Sequence, residues 1–152
     1  MTPRHNIVIY VFLMLFVGGC VQEHDFRIER FVKTLNDNPD YFHSEMTPSV
    51  KALVKIGEEA IPRMLDLMLL DDIYTRLRAQ TVIERITMQQ YGFLPGHGWI
   101  QDKCEHEFQT FWKDLGDLDY RKSKENREYA VGLWRKWVRG SFRDKSPGQI
   151  PK

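Results

Sequence analysis

Cysteine is almost absent from this chain: Cys20 and Cys104 are the only two among 152 residues. Two thiols cannot build a structural zinc site of several thiolates. An excess of one charge is absent as well. Lys and Arg number 22 and Asp and Glu 21, for a formal net charge of +1. No global basic field exists to hold nucleic acid, so nucleic-acid binding is not expected. No stretch alternates apolar with polar residues as a half-buried strand does. No apolar run reaches the roughly 20 residues of a membrane-spanning helix. Hydrophobic residues nevertheless make up 42% of the chain and charged residues 28%, which is not the composition of a chain that stays disordered.

Catalytic signatures are missing too. His106-Glu107 opens like a zinc-protease helix, but four residues after His106 stands Thr110, so the second histidine ligand is lacking. Cys104 and His106 fall about 200° apart on a helix and cannot share an ion there. A Cys–His hydrolase needs a base beside the thiol, and nothing places His24, His43 or His97 there. Gly92, Gly96 and Gly98 form no phosphate loop, because no Gly-Lys-Ser/Thr follows them. No catalytic residue, metal or cofactor is expected.

What is present begins with an export signal. Arg4 supplies a positive start, and Ile7 to Val17 (IVIYVFLMLFV) is an unbroken apolar run of signal-peptide length. Val17-Gly18-Gly19-Cys20 follows directly. This resembles the bacterial lipobox, an aliphatic residue, two small residues and a cysteine. The resemblance implies cleavage before Cys20, acylation of its sulfur and of the new amino terminus, and a membrane-anchored lipoprotein of the bacterial cell envelope. Val21 is not the acidic residue that in this family retains lipoproteins in the inner membrane, so outer-membrane placement is favoured. With Cys20 lipidated, Cys104 has no disulfide partner. Loss of residues 1–19 removes Arg4 and no acid, which brings the side-chain charge to zero.

Residues 20–25 read as a tether and residues 26–140 as one helical domain. Ile28, Phe31, Val32 and Leu35 have helical spacing, and the run Asn36-Asp37-Asn38-Pro39 ends that helix. Residues 40–46 read as a loop or one turn in which Tyr41, Phe42 and Met46 pack locally. Thr47-Pro48 is a helix start, a capping hydroxyl followed by proline at the first position. Gly57 reads as its stop, Pro62 as the start of the next helix, and Asp71 and Asp72 as the cap of a third. Gly92 to Gly98 reads as a flexible corner. Cys104, Phe108, Phe111, Trp112 and Leu115 form the clearest amphipathic stripe. That stripe makes Cys104 a buried, inert, structural thiol. Ser123 opens a last helix with Trp134 and Trp137 inward and Gly140 as its stop. Residues 141–152 show no period and are expected to be a disordered tail. The cations of Arg121-Lys122-Ser123-Lys124 stand at a helix start, where positive charge is unfavourable, a hint of an acidic partner such as lipid headgroups.

Residues 52–68, ALVKIGEEAIPRMLDLM, resemble a HEAT-like repeat of the phycobilisome-lyase type: a helix ending in Ile-Gly, a short turn, then Ala-aliphatic-Pro. Arg76, Ala79, Val82, Ile83 and Ile86 continue the family's register. The resemblance covers about 40 residues, with one good unit and no second copy. It implies an all-α protein, a short right-handed helical solenoid or bundle with one HEAT-like pair and capping helices. It also implies that Arg76, four residues after Asp72, donates to the carboxylate of Asp71 or Asp72, so that Arg76→Ala destabilises while Arg78→Ala is mild. The function expected is a non-catalytic, membrane-tethered protein–protein interaction module with a protein partner. The alternative is an envelope enzyme or enzyme accessory, a hydrolase or lyase-related protein, on fold analogy alone.

Overall fold

The computed structural model describes residues 26–144, with side chains through residue 140. The signal, the lipobox with Cys20, the tether and residues 145–152 lie outside the described residues. The fold is all-α. Helix α1 covers residues 26–33 and is followed by α2 (Pro48–Ile56), a 3₁₀ turn (Glu58–Ala60), α3 (Ile61–Leu67), α4 (Ile73–Gln90), α5 (Asp102–Asp114) and α6 (Lys124–Asp144).

Helix starts follow the caps. The Thr47 hydroxyl accepts from the Val50 amide at 3.1 Å and donates to the Leu35 carbonyl at 3.0 Å, so one side chain caps α2 and ties down the chain leaving α1. Asp72 caps α4 by accepting from the Thr75 amide at 2.7 Å. Gly57 ends α2 at φ +88°, a conformation that favours glycine. Gly140 does not end α6, which runs on to Asp144. One interior glycine costs a helix only about 1 kcal/mol, too little to stop it without a left-handed turn.

Helices α2 and α3 both pack on α4, and α6 lies along α3. Val50, Leu53, Met64, Leu65, Val82 and Ile83 meet at this junction with no exposed surface. Each such burial stabilises the fold by roughly 1.5–3 kcal/mol. A second cluster is aromatic. Trp99 contacts Phe108 at 5.4 Å between ring centres, Phe108 contacts Trp112 at 5.6 Å, and Trp112 meets Trp134 edge-on at 5.1 Å. This chain of rings joins the segment after α4 to α5 and α6.

Two short strands, β1 (Phe93–Leu94) and β2 (Gly98–Trp99), pair antiparallel where a flexible corner is expected. The His97 amide donates to the Leu94 carbonyl at 3.0 Å, with Pro95 and Gly96 between them and Gly96 at φ +82°. Proline followed by a positive-φ glycine is the pattern of a type II turn. The hairpin is too short for alternation to show in the sequence.

The carbonyls at the end of α3 are capped by guanidinium groups. Arg127 donates to the Met68 carbonyl at 2.9 Å and to the Lys122 carbonyl. Arg76 donates to the Leu70 and Asp71 carbonyls at 2.8 and 2.6 Å, and to the Tyr120 carbonyl at 2.9 Å. A helix C-terminus leaves acceptors without partners, and cations there also oppose the helix dipole favourably.

Candidate functional site

Tyr41 and Phe42, expected to pack locally, are 92% and 84% exposed. Their rings touch only each other, edge to face at 5.0 Å. The loop that carries them is nonetheless held by hydrogen bonds. The Asp40 carboxylate accepts from the Phe42 amide at 3.0 Å and the His43 amide at 3.3 Å. These bonds, the one from Phe42 first, hold the Asp40 carboxyl below its ordinary range. The Asp40 amide reaches the Met46 carbonyl at 2.8 Å, and the Met46 amide reaches the His43 carbonyl at 2.7 Å. An Asp side chain bonding two residues ahead is the way such turns are fixed.

Arg78 holds the loop from beneath. Its side chain donates to the Ser44 carbonyl at 3.1 Å and to the Asn36 side-chain oxygen, and its guanidinium lies 5.7 Å from the Tyr74 ring centre. Arg78 is 4% exposed and its Nε has no hydrogen-bond partner among the described residues. Truncation at Arg78 is therefore not the mild change expected from its place outside the repeat register. A buried guanidinium that anchors a loop and lacks a carboxylate is costly to disturb.

Beside the loop lies a pocket of about 330 Å³, walled by four elements. His43, Glu45 and Met46 come from the loop, Lys51 and Val54 from α2, Arg85 and Gln89 from α4, and Phe93 and Pro95 from the hairpin. A shallower depression of about 510 Å³ adjoins it, shares Val54 and Gln89, and extends past Lys55 and Ile86 to Glu58 and Glu59. The pair forms one groove between α2 and the second half of α4.

Glu45 is the acid of the first pocket, and it sits 3.6 Å from His43 Nδ1. Lys51 and Arg85 have no carboxylate within ion-pair distance among the described residues, while the Arg85 guanidinium lies over the Phe93 ring at 5.7 Å. On the adjoining turn of α4, burial pushes the Glu84 carboxyl up, and Arg85 pulls it back part of the way.

The residues singled out from the sequence are not gathered here. Cys20 is outside the described residues. Arg76 is buried near the α3–α4 turn, but its acceptors are main-chain carbonyls, not the carboxylate of Asp71 or Asp72. The reason is geometric: Asp72 is turned to cap its own helix and to accept from Asn36 at 3.3 Å. Hydrogen bonds from Thr75 and Asn36 hold the Asp72 carboxyl below its usual range, with Thr75 the larger cause. Cys104 is half-buried, not fully buried, because it stands on the first turn of α5 facing Gly92 and Ile100 at the margin of the ring cluster. His106 is exposed. Two cations of the basic run are paired locally, Arg121 with Asp119 at 2.9 Å and Lys122 with Asp117 at 2.8 Å, which leaves little charge there for lipid headgroups.

The groove residues were not evident in the sequence, since Lys51 and Arg85 are isolated cations on separate helices. The one local signal was the Asn-Asp-Asn-Pro-Asp run before Tyr41, which announces a built turn. Among the described residues no group of three or more His, Cys, Asp or Glu side chains could hold a metal ion. Among them, too, no helix is long and apolar enough to cross a membrane. No protein-family model, no curated protein and no solved structure matches the chain.

Proposed function

We propose that the protein is a non-catalytic lipoprotein, anchored through Cys20 to a membrane of the bacterial cell envelope, that serves as a protein–protein interaction module. The anchor rests on the lipobox residues Val17-Gly18-Gly19-Cys20, and the non-acidic Val21 that follows them favours the outer membrane. The module rests on the α2–α3–α4 segment, where the HEAT-like resemblance falls, with α1, α5 and α6 as its caps.

One observation carries the interaction reading. A loop fixed by its own hydrogen bonds and by buried Arg78 holds Tyr41 and Phe42 in water, and the same loop lends His43, Glu45 and Met46 to the wall of a preformed groove. Large aromatic side chains kept exposed on a rigid loop are a cost to an isolated chain, and they are the residue type that anchors protein interfaces. Pre-organisation also lowers the entropy lost on association.

A photo-crosslinking amino acid at position 42 tests this in cells, with the exposed position 136 on α6 as control. A discrete adduct from position 42 alone, reduced in the unanchored Cys20→Ser form, is the expected result. Identical adducts from both positions, or none from position 42, would overturn the reading.

A further inference from the structure

We infer that the 330 Å³ pocket receives an apolar segment of the partner protein that carries a carboxylate, seated against Lys51 and Arg85. This deepens the interaction-module reading and rests on it.

The pocket has the make-up of a built recognition site. Its volume falls in the range of about 300–1,000 Å³ typical of ligand sites, which are mostly apolar with a few convergent polar groups. Met46, Val54, Phe93 and Pro95 supply the apolar walls. They come from three elements, the 40–46 loop, α2 and the hairpin, so the shape is set by tertiary packing and not by one loop. Two of the polar groups are cations and one, Glu45, is an acid. Lys51 comes from α2 and Arg85 from α4; Asp40 lies near enough to Lys51, and Glu84 to Arg85, to feel their charge, but no carboxylate among the described residues closes an ion pair with either. A guanidinium laid on a ring is oriented, and its N–H edge suits a planar carboxylate with two parallel hydrogen bonds.

The acid in the wall, Glu45, is already opposite His43 at 3.6 Å. It lies on the loop side of the pocket, the side a carboxylate avoids, across from Lys51 and Arg85 on the helices. A flat bilayer cannot enter a concave pocket of this kind, and two cations are too few to hold a nucleic-acid backbone. An extended peptide fits both requirements. Its apolar side chains fill the pocket, its acid meets Lys51 and Arg85, and its continuation lies in the depression along Lys55 and Ile86. Tyr41 and Phe42, on the same loop as His43 and Met46, would flank it at the rim.

Random heptapeptide display on the purified full chain is the test, followed by fluorescence anisotropy of a labelled selected peptide. Selected sequences are expected to carry Asp or Glu flanked by apolar residues. Lys51→Glu with Arg85→Glu should weaken that peptide at least about tenfold, the effect of losing roughly 1.4 kcal/mol. Lys51→Met with Arg85→Met should keep apolar binding and lose the preference for acid. Lys136→Glu should change nothing, and a common unfolding midpoint would show that all variants are folded.

Peptides with no acidic enrichment, or an acidic peptide bound as well by the charge-reversed chain, would overturn the inference. The outcome is separable from the broader reading. A crosslinked partner at Phe42 together with no acidic preference would end the carboxylate assignment and leave the module standing.

Discussion

Replacing Gly116 with alanine tests how α5 is joined to α6. Gly116 follows the last turn of α5 at φ +88°, and its amide donates to the Lys113 carbonyl at 2.9 Å. The next amide, of Asp117, reaches back to the Trp112 carbonyl at 3.0 Å. That pair of bonds is a Schellman motif, which needs the left-handed residue. A Cβ on this residue would also stand 3.0 Å from the Ala130 Cα and 3.1 Å from its Cβ. Ala130 is 1% exposed and α6 backbone is rigid, so neither can retreat cheaply. The left-handed conformation costs a non-glycine residue roughly 1–2 kcal/mol, and overpacking adds about 1–3 kcal/mol. A loss of about 2–5 kcal/mol is expected for Gly116→Ala. Gly132 on α6 is the matched control: it is helical, and nothing lies within 4 Å of its added Cβ. Gly132→Ala should stabilise by about 0.5–1 kcal/mol through helix propensity. Urea unfolding followed by tryptophan fluorescence reads both, since Trp134 is fully buried. With a slope of about 1.5 kcal/mol/M, Gly116→Ala moves the midpoint down by roughly 1.3–3.3 M. Shifts of the same sign for the two variants, or an unchanged midpoint for Gly116→Ala, would refute the packing argument.

Other outcomes follow from particular contacts. Arg76→Ala and Arg78→Ala should each cost about 2–4 kcal/mol, because each removes a buried guanidinium together with its part-buried hydrogen bonds; in the same unfolding assay, a loss under about 0.5 kcal/mol for either would contradict its assigned bonds. Of the two, only Arg78→Ala should speed chymotrypsin cleavage after Tyr41 or Phe42, since only Arg78 holds that loop. Burial raises the Glu84 carboxyl, so its ionised form is penalised in the folded state alone and stability falls as pH rises above the unfolded value of about 4.5. Glu84→Gln should therefore raise the melting temperature at pH 7, with the gain fading towards pH 4; a gain that grows on acidification would be the wrong sign. Cys20→Ala should release the protein from membranes or leave the precursor uncut, and an intact Met1 terminus found in mature protein by mass spectrometry would end the lipoprotein reading.

Elements whose ends are written in local chemistry were legible before the structure. Thr47-Pro48, Gly57, Pro62 and Asp72 each announce a boundary through one residue's φ or one side chain's hydrogen bond, and each stands where expected. The stripe from Phe108 to Leu115 was legible because a 3.6-residue period is a property of one helix. What failed depended on partners far away in the chain. Arg76 and Arg78 have the same side chain two residues apart, and only tertiary placement shows that one serves the α3–α4 turn and the other the 40–46 loop. Tyr41 and Phe42 look like core residues by type, and nothing local tells that their loop turns outward. Gly140 was read as a stop because glycine often ends helices, but the conformation that would end α6 is not adopted there. The groove was invisible because its four walls come from segments up to about fifty residues apart, with no motif among them.

The two halves of the proposal place different demands on the same small body, and α2 separates them. Ser49 turns towards the end of α1, where its hydroxyl lies 2.7 Å from that of Thr34. Lys51, two residues on and so about 200° around the helix, lines the pocket. The contact with the end of α1 and the wall that would meet a partner thus lie on opposite sides of α2. Between Cys20 and the start of α1 the chain spans at most about 20 Å, at roughly 3.3–3.6 Å per residue. If Cys20 carries the proposed anchor, a tether that short would hold the start of α1 close to the membrane. A partner could then reach the groove without displacing the anchor. Crosslinking from position 42 should for this reason survive in intact membranes, whereas the same probe at position 30 on α1 should yield lipid adducts in place of a protein one.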